Sequence, residues 1–203
     1  MLHLLGVSHF AQARKKEVEE TEAQKAFSGF LKQIIQDVHP VFIAEEQSEE
    51  NLANQGKISI PKEISDSEGI EHRLCDPNSA ERRSMDYLRG EDILLRHKNL
   101  LGSNLPFEEC SVKAYAIEMA YHFPKREQFW LRGLTGCREQ NAVFVCGDSH
   151  IEPFTSLLQG KNIPHRVAGR SIGMTEAERE DARRIVQNLE THPELRNPLS
   201  GGK

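Results

Sequence analysis

The stretch AVFVCGDSH, residues Ala142–His150, combines an apolar run, a glycine and a polar cluster. Its first five residues are apolar, which is typical of a short buried strand. Gly147 interrupts the apolar run, and three polar residues follow at once. This order predicts a strand whose carboxyl end carries functional side chains, as is common at the edge of an α/β sheet.

The first nine residues repeat the same plan. A strand predicted at Met1–Val7 contains Gly6, and His9 follows that glycine by three positions, as His150 follows Gly147. A glycine at each strand end permits a close turn of the backbone. The two Gly-x-x-His motifs therefore predict that two histidines reach one site from two strand ends.

Length and composition favour one soluble domain. The chain has 203 residues, of which 37% are hydrophobic and 28% charged, so a buried core and a polar surface are both expected. We therefore expect a single α/β domain over residues 1–203. The net charge of −5 argues against a nucleic-acid-binding protein, which needs clustered basic residues. No apolar run approaches the ~18 residues of a membrane span, and no signal-peptide pattern occurs.

The four cysteines indicate a reducing compartment. They are widely spaced and form no Cys-x-x-Cys pair. This usage favours reduced thiols over disulfides or a zinc site, and it predicts a cytoplasmic protein. The expected partner is a small-molecule or peptide substrate, without nucleic acid or membrane. A homo-oligomer is left open.

Short apolar runs alternate with helical periodicity, which predicts an α/β fold with a largely parallel sheet flanked by helices. An apolar stripe predicts a long helix over Arg14–Val38. Thr175 with Glu178 forms a capping-box pattern at the start of a terminal helix. Five strands are predicted, at Met1–Val7, Val41–Ala44, Ile70–Cys75, Ala142–Cys146 and Ile163–Val167.

A long segment without strand patterns separates the third and fourth predicted strands. It runs from Ser79 to Gly133 and contains several helical patterns. Its length is far above that of an ordinary connection, so we predict a helical insertion over residues 79–133. Two interpretations stay open: a lid or partner surface, and simple helical packing over one face of the sheet.

Polar residues follow the carboxyl ends of the predicted strands. His9 follows the first strand, Glu45 and Glu46 the second, and His150 the fourth. These ends share one edge of a parallel sheet, so we expect the side chains to converge there. Two imidazoles and a carboxylate form a common ligand set for a divalent metal such as Mn, Co, Zn or Fe. We therefore take His9, His150 and Glu45 as candidate metal ligands, the metal serving to activate a water molecule.

Several roles at this site stay open. Glu45 or Glu46 either binds the metal or acts as general base, and strand alternation lets only one of them face the site. Without a metal, a histidine and a glutamate act as general acid and base. Arg82 or Arg83 is a candidate to hold an oxyanion, although a solvated surface position is the commoner use of such residues. Asp148 has a simpler interpretation as a helix cap.

This combination of motifs resembles the superfamily that joins TraB/PrgY proteins, Tiki metalloproteases, ChaN-like proteins and erythromycin-esterase-like enzymes. The residues that carry the resemblance are Gly6-Val7-Ser8-His9, VFIAEE at Val41–Glu46, the Asp76–Arg83 stretch, and Val143–Val167. The resemblance implies an α/β domain whose paired Gly-x-x-His motifs and strand-end glutamate build a hydrolytic or metal-binding site.

Carried over to this chain, the resemblance assigns the paired histidines, an acidic residue and a basic residue. The histidines are His9 and His150. The acidic residue is Glu45 or Glu46, and the basic residue is Arg82 or Arg83. Members of the superfamily hydrolyse peptides or esters, or bind haem iron.

The leading hypothesis is a metal-dependent hydrolase of an amide or ester bond. A non-catalytic ligand-binding or regulatory module that uses the same pocket is the second hypothesis. A haem- or iron-binding protein is the third.

Overall fold

The structure, a computed structural model, describes residues 1–96 and 106–191. These residues form two compact units. The α/β unit comprises Met1–Ser79 and Glu127–Thr175, and the helical unit comprises residues 80–126 and the helix that begins at Glu176. The expectation of one domain over residues 1–203 stays a prediction, because spatial clustering does not test independent folding.

Parallel strands form the main sheet of the α/β unit. The strands of the described residues are β1 (Leu2–Val7), β2 (Ala13–Lys15), β3 (Phe42–Glu45), β4 (Lys57–Ser59), β5 (Glu71–Leu74), β6 (Ala142–Gly147) and β7 (His165–Ile172). Five of them form a sheet in the order β5-β3-β6-β1-β7, with every neighbouring pair parallel. Strands β2 and β4 pair separately and antiparallel. The predicted α/β fold is confirmed, and each predicted strand corresponds to one strand of this sheet.

Helices make up most of the remaining described residues. They are α1 (His9–Gln12), α2 (Glu22–Val38), α3 (Glu49–Asn54), α4 (Ile60–Glu68), α5 (Ser79–Ser84), α6 (Gly90–Arg96), α7 (Phe107–Ile117), α8 (Phe123–Trp130), α9 (Ile151–Gly160) and α10 (Glu176–Thr191). A π-helix, Glu118–His122, joins α7 to α8, and a 3₁₀ turn, Asp148–His150, joins β6 to α9. In its described part, the segment between β5 and β6 is helical, as predicted. None of the described helices is both long and apolar enough to cross a membrane.

The long helix predicted over Arg14–Val38 is wrong at its beginning. Helix α2 begins at Glu22, where Thr21 and Gln24 form a capping box: each side chain accepts a hydrogen bond from the backbone N–H of the other residue. Upstream, Arg14 lies in β2 and pairs with Ile58 of β4. The charged run between β2 and Thr21 has too few apolar positions to bury one face of a helix.

Strand alternation divides the core between the two faces of the sheet. In β3, Phe42 and Ala44 pack on one face with Trp130 and Phe154, whereas Ile43 packs on the other face, against helices α2 and α4. Successive side chains of a strand point to opposite faces, so Glu45 continues on the side of Ile43 and Glu46 returns to the side of Trp130. The two glutamates therefore face different histidines: Glu46 lies near His150, beside Trp130, and Glu45 lies near His72.

A small apolar core and a buried carboxyl group hold the helical unit together. Ile93 of α6 packs with Ala114 and Ile117 of α7, and Ile185 of α10 packs against this cluster. At the start of the π-helix, Glu118 accepts hydrogen bonds from the Tyr87 hydroxyl (2.5 Å) and from the backbone N–H of Gly90 (2.7 Å). Burial raises the pKa of the Glu118 carboxyl above its ordinary value, because the charged form loses hydration.

Replacing Gly6 by alanine should lower the stability of the α/β unit. A Cβ on residue 6 would collide with the carboxylate of Asp148 and would lie 2.8 Å from Cγ1 of Ile151. We expect Gly6→Ala to cost about 1–3 kcal/mol in the free energy of unfolding, measured by urea denaturation. Gly29→Ala is the control: this glycine lies in α2 with no atom near the added Cβ, so alanine should stabilise by roughly 0.5–1 kcal/mol. Equal effects of the two substitutions would contradict the close approach at Gly6.

The stability of the helical unit should depend on the ionisation of Glu118. The folded-state pKa of Glu118 lies above its unfolded value. Its stabilisation is therefore complete below about pH 4.5 and is lost as the pH rises through the folded pKa. Glu118→Gln keeps a neutral acceptor, so its unfolding free energy should rise relative to the wild type as the pH increases.

Hydrogen exchange of the Gly90 amide between pH 4.5 and 8, corrected for the intrinsic rate, measures this difference locally. Glu109→Gln, an exposed glutamate of α7, serves as the control and should show no such trend. A difference between Glu118→Gln and the wild type that is constant with pH would contradict the role of Glu118.

Candidate active site

The two Gly-x-x-His motifs lie side by side at one edge of the sheet. Strands β1 and β6 are parallel neighbours, with Gly6 opposite Cys146 and Val7 opposite Gly147. Each glycine leaves room for a side chain from the other motif. Asp148 approaches Gly6, and the ring of His9 lies over Gly147, where Nε2 is 2.6 Å from the position that a Cβ would occupy.

Glu46 contacts the second Gly-x-x-His motif and lies near the His9 ring of the first. Its Oε2 accepts a hydrogen bond from the backbone N–H of Gly147 at 2.7 Å, and its Oε1 is 3.5 Å from Nε2 of His150. The same Oε2 lies 3.5 Å from the Cβ position at Gly147 over which the His9 ring is placed. The structure therefore brings together His9, Glu46 and His150, three of the residues singled out in the sequence.

The two histidines differ in their exposure to solvent. His9 is exposed at the start of α1, where the Ser8 side chain caps the helix by accepting a hydrogen bond from the N–H of Phe10. The side chain of His150 is completely buried. Of the two rings, only that of His9 is thus placed to exchange protons directly with water, whereas that of His150 is shielded from solvent.

Helix α8 encloses the buried histidine. Nδ1 of His150 is 2.8 Å from Oε1 of Glu127, and the Trp130 ring stands edge-on to the imidazole, with centroids 4.8 Å apart. Trp130 in turn donates its indole N–H to Oδ1 of Asp76 at 3.1 Å. A buried carboxylate thus lies near each nitrogen of the ring: Glu127 at Nδ1 and Glu46 at Nε2.

The sequence did not single out Glu127, and it predicted Trp130 only as a core residue. Their spacing of three residues, inside a segment predicted to be helical, places them on one face of α8. That spacing was the available signal. Nothing in the pattern distinguished Glu127 from the many other glutamates, because the partner residue is 23 positions away in the chain.

Glu45 lies on the opposite side of the sheet from Glu46 and His150. Its carboxylate accepts hydrogen bonds from the Gln12 amide at 2.8 Å and from the Ser59 hydroxyl, and it lies 2.9 Å from Nε2 of His72. Of the two glutamates, Glu46 is the one that lies near His150 and Gly147. The structure does not bring Glu45 to His9 or His150.

The described residues do not present the ligand set expected for a metal. Among residues 1–96 and 106–191, no group of three or more His, Cys, Asp or Glu side chains is placed to hold a metal ion. Glu45, which was to complete the set, is engaged with Gln12, Ser59 and His72 instead. Glu45 therefore does not complete the expected set, and the roles of His9 and His150 as metal ligands stay predictions.

The remaining residues proposed from the sequence, Arg82, Arg83 and Asp148, make other contacts. Arg82 and Arg83 belong to the helical unit, where the Arg82 guanidinium lies 5.4 Å from the Tyr87 ring centroid and Arg83 is exposed. Their predicted role at the site stays a prediction. Asp148 is not a helix cap: its carboxylate accepts from the backbone N–H of Ser171 at 2.6 Å and pairs with Arg170 at 3.1 Å, which ties the end of β6 to β7.

In comparisons with known proteins, the chain matches no protein-family model, and no curated protein and no solved structure is significantly similar to it. The resemblance to the TraB/PrgY and Tiki superfamily therefore rests on the motifs themselves. What the fold and the site define is an α/β protein with a histidine–glutamate cluster at the carboxyl edge of a parallel sheet.

Replacing Gly147 by alanine should displace the His9 ring with little loss of stability. The new Cβ would meet the end of an exposed, flexible side chain, and the backbone of Gly147 lies at negative φ, which alanine adopts without strain. We expect the NMR signals of the His9 ring to shift and its contacts with residue 147 to disappear. Gly160→Ala, with no atom near the added Cβ, is the control and should leave the His9 ring unchanged. Unchanged His9 signals in Gly147→Ala would contradict this placement of the ring.

Proposed function

We propose that this protein hydrolyses an amide or ester bond and that His9, Glu46 and His150 form its acid–base centre. The observation that carries the proposal is the convergence of His9 and Glu46 on Gly147, because it places an exposed imidazole and a buried carboxylate beside the same residue. The resemblance to a superfamily that contains peptide and ester hydrolases supports the same reaction class.

In this mechanism, His9 is the group that exchanges protons with the substrate and with water. It takes a proton from a water molecule as the water oxygen attacks the carbonyl carbon. It then returns the proton to the leaving nitrogen or oxygen as the C–N or C–O bond breaks. Glu46 stabilises the positive charge that His9 acquires in between, because their interaction is only partly screened by solvent.

The buried neighbours of Glu46 keep its carboxylate in place. The backbone N–H of Gly147 and the His150 ring approach different oxygens of the carboxylate, so both its position and its rotation are restrained. A fixed carboxylate does not need to reorganise when charge develops on His9, and such preorganisation is a large contribution to enzymatic rate. No step of this mechanism uses a metal ion.

We further propose a small-molecule or peptide substrate and a cytoplasmic location. The support for the location is that all four cysteines, which lie within the described residues, are thiols rather than disulfides. The support for the substrate class is the proposed acid–base pair, which suits a carbonyl group, and the net charge of −5, which argues against a nucleic acid.

A second candidate function is ligand binding without turnover. The complete burial of the His150 side chain and the near-complete burial of Glu46 favour it, because buried ionisable groups also occur as structural ion pairs. The two candidates differ in what His9 must do: an enzyme needs its proton transfer, whereas a binding module needs only its shape and hydrogen bonds.

Replacing His9 by glutamine should abolish turnover and leave the fold intact. Glutamine keeps polar contacts at an exposed position but cannot act as general base. We expect kcat/KM to fall by about 10²–10⁴-fold, the usual contribution of acid–base catalysis, on any substrate found in a panel of p-nitrophenyl esters and peptide amides.

His39→Asn is the matched control for this substitution. It changes an exposed histidine at the end of α2, where the left-handed backbone also suits asparagine, and it should leave turnover unchanged. Turnover that survives in His9→Gln would contradict the proposal. A wild-type protein that turns over no member of the panel, yet is stabilised against heating by one of them through His9, would favour the binding module.

A further inference from the structure

His150 is held on its Nδ1 side by a helix that no catalytic motif predicted. Glu127 and Trp130 lie on one face of α8 and both contact the imidazole, the first at 2.8 Å through its carboxylate and the second through its ring. The Glu127 side chain is 2% exposed and that of His150 is fully buried, so the contact is shielded from water. A buried contact of this length requires good chemical complementarity, since a mismatched polar pair would be costly.

The chemistry of the two groups decides where the hydrogen lies. An ionised carboxylate only accepts hydrogen bonds, and an imidazole nitrogen either donates or accepts according to its tautomer. With Glu127 ionised, two acceptors 2.8 Å apart would repel each other, so Nδ1 of His150 must then carry the hydrogen and donate it to Oε1 of Glu127. Nε2 then faces Oε1 of Glu46 at 3.5 Å, which is longer than an ordinary hydrogen bond, so this second contact does not decide where the hydrogen lies.

We propose that Glu127 is a positioning residue: by accepting the Nδ1–H of His150, it sets the tautomer and the orientation in which Nε2 faces Glu46. The functional meaning of this inference rests on the proposed hydrolase activity, but the placement of the hydrogen does not. In the order Glu127, His150, Glu46 and His9, the first three side chains are buried and the last is exposed.

Nitrogen-15 NMR of the histidine rings at pH 7 tests the proposal in the wild-type protein itself. The His150 signals are assigned by their loss in His150→Gln. We expect a protonated Nδ1 whose hydrogen resonates far downfield and exchanges slowly with water. A His150 ring whose Nδ1 carries no hydrogen would overturn the proposal, whatever the catalytic activity of the protein.

Two substitutions separate positioning from simple structural support. Glu127→Gln removes the charge at nearly constant shape, so the Nδ1–H signal should move upfield or be lost, whereas Glu127→Asp keeps the charge and should retain it in part. Glu45→Gln is the matched control, because Glu45 is the neighbouring buried glutamate and contacts His72 instead. It should leave the His150 signals unchanged. Backbone amide spectra verify that each variant is folded, and unchanged His150 signals in folded Glu127→Gln would overturn the proposal.

Kinetics then connect the positioning residue to function. With a substrate that the wild type hydrolyses, Glu127→Gln should lower kcat by roughly 10²-fold or more at nearly unchanged KM, and Glu127→Asp should recover part of the loss. Equal kcat in Glu127→Gln and the wild type would contradict the positioning role. A protonated Nδ1 in a protein without turnover would instead contradict the proposed hydrolase and leave the placement of the hydrogen confirmed.

Discussion

The parallel pairing of β1 with β6 brings Gly6 and Gly147 to one edge of the sheet. The cluster there depends on both residues being glycine, because a side chain at either position would take up the space of a neighbouring group. Asp148 occupies the space beside Gly6, and His9 occupies the space over Gly147. A Cβ at either position would clash with a side-chain atom of the neighbouring motif. The backbone N–H of Gly147 also anchors Glu46, so a single residue receives both the exposed histidine and the buried carboxylate.

The cluster combines a dry interior with an exposed end. Inside, His150 has a carboxylate near each nitrogen and an aromatic ring at its edge, an arrangement that offsets the cost of removing an ionisable ring from water. At the exposed end, His9 meets solvent. Proton transfer with a substrate needs such an accessible group. A preorganised electrostatic environment needs charged groups that are held in place, and burial restrains them.

Local patterns predicted much of this arrangement. Apolar runs located the five strands of the main sheet, and the rule that parallel strands share a carboxyl edge predicted that His9, His150 and one glutamate of the doublet converge. Periodicity alone misplaced the start of α2, because the capping box at Thr21 outweighs a charged run that has no apolar face. Arg82 and Arg83 were proposed from the resemblance and from their position after a strand end; they belong to the helical unit, and their role at the site stays a prediction.

The sequence by itself determined the strands, the two Gly-x-x-His motifs and their common edge, since these follow from local hydrophobic patterns and from the shape of glycine. Tertiary structure decided the rest. It turned Glu46 to the histidines and Glu45 to Gln12, Ser59 and His72, and it brought Glu127 to His150 from a distant helix. The physical reason is that burial and hydrogen-bond complementarity depend on which surfaces meet in the folded chain, and local pattern cannot specify such long-range contacts.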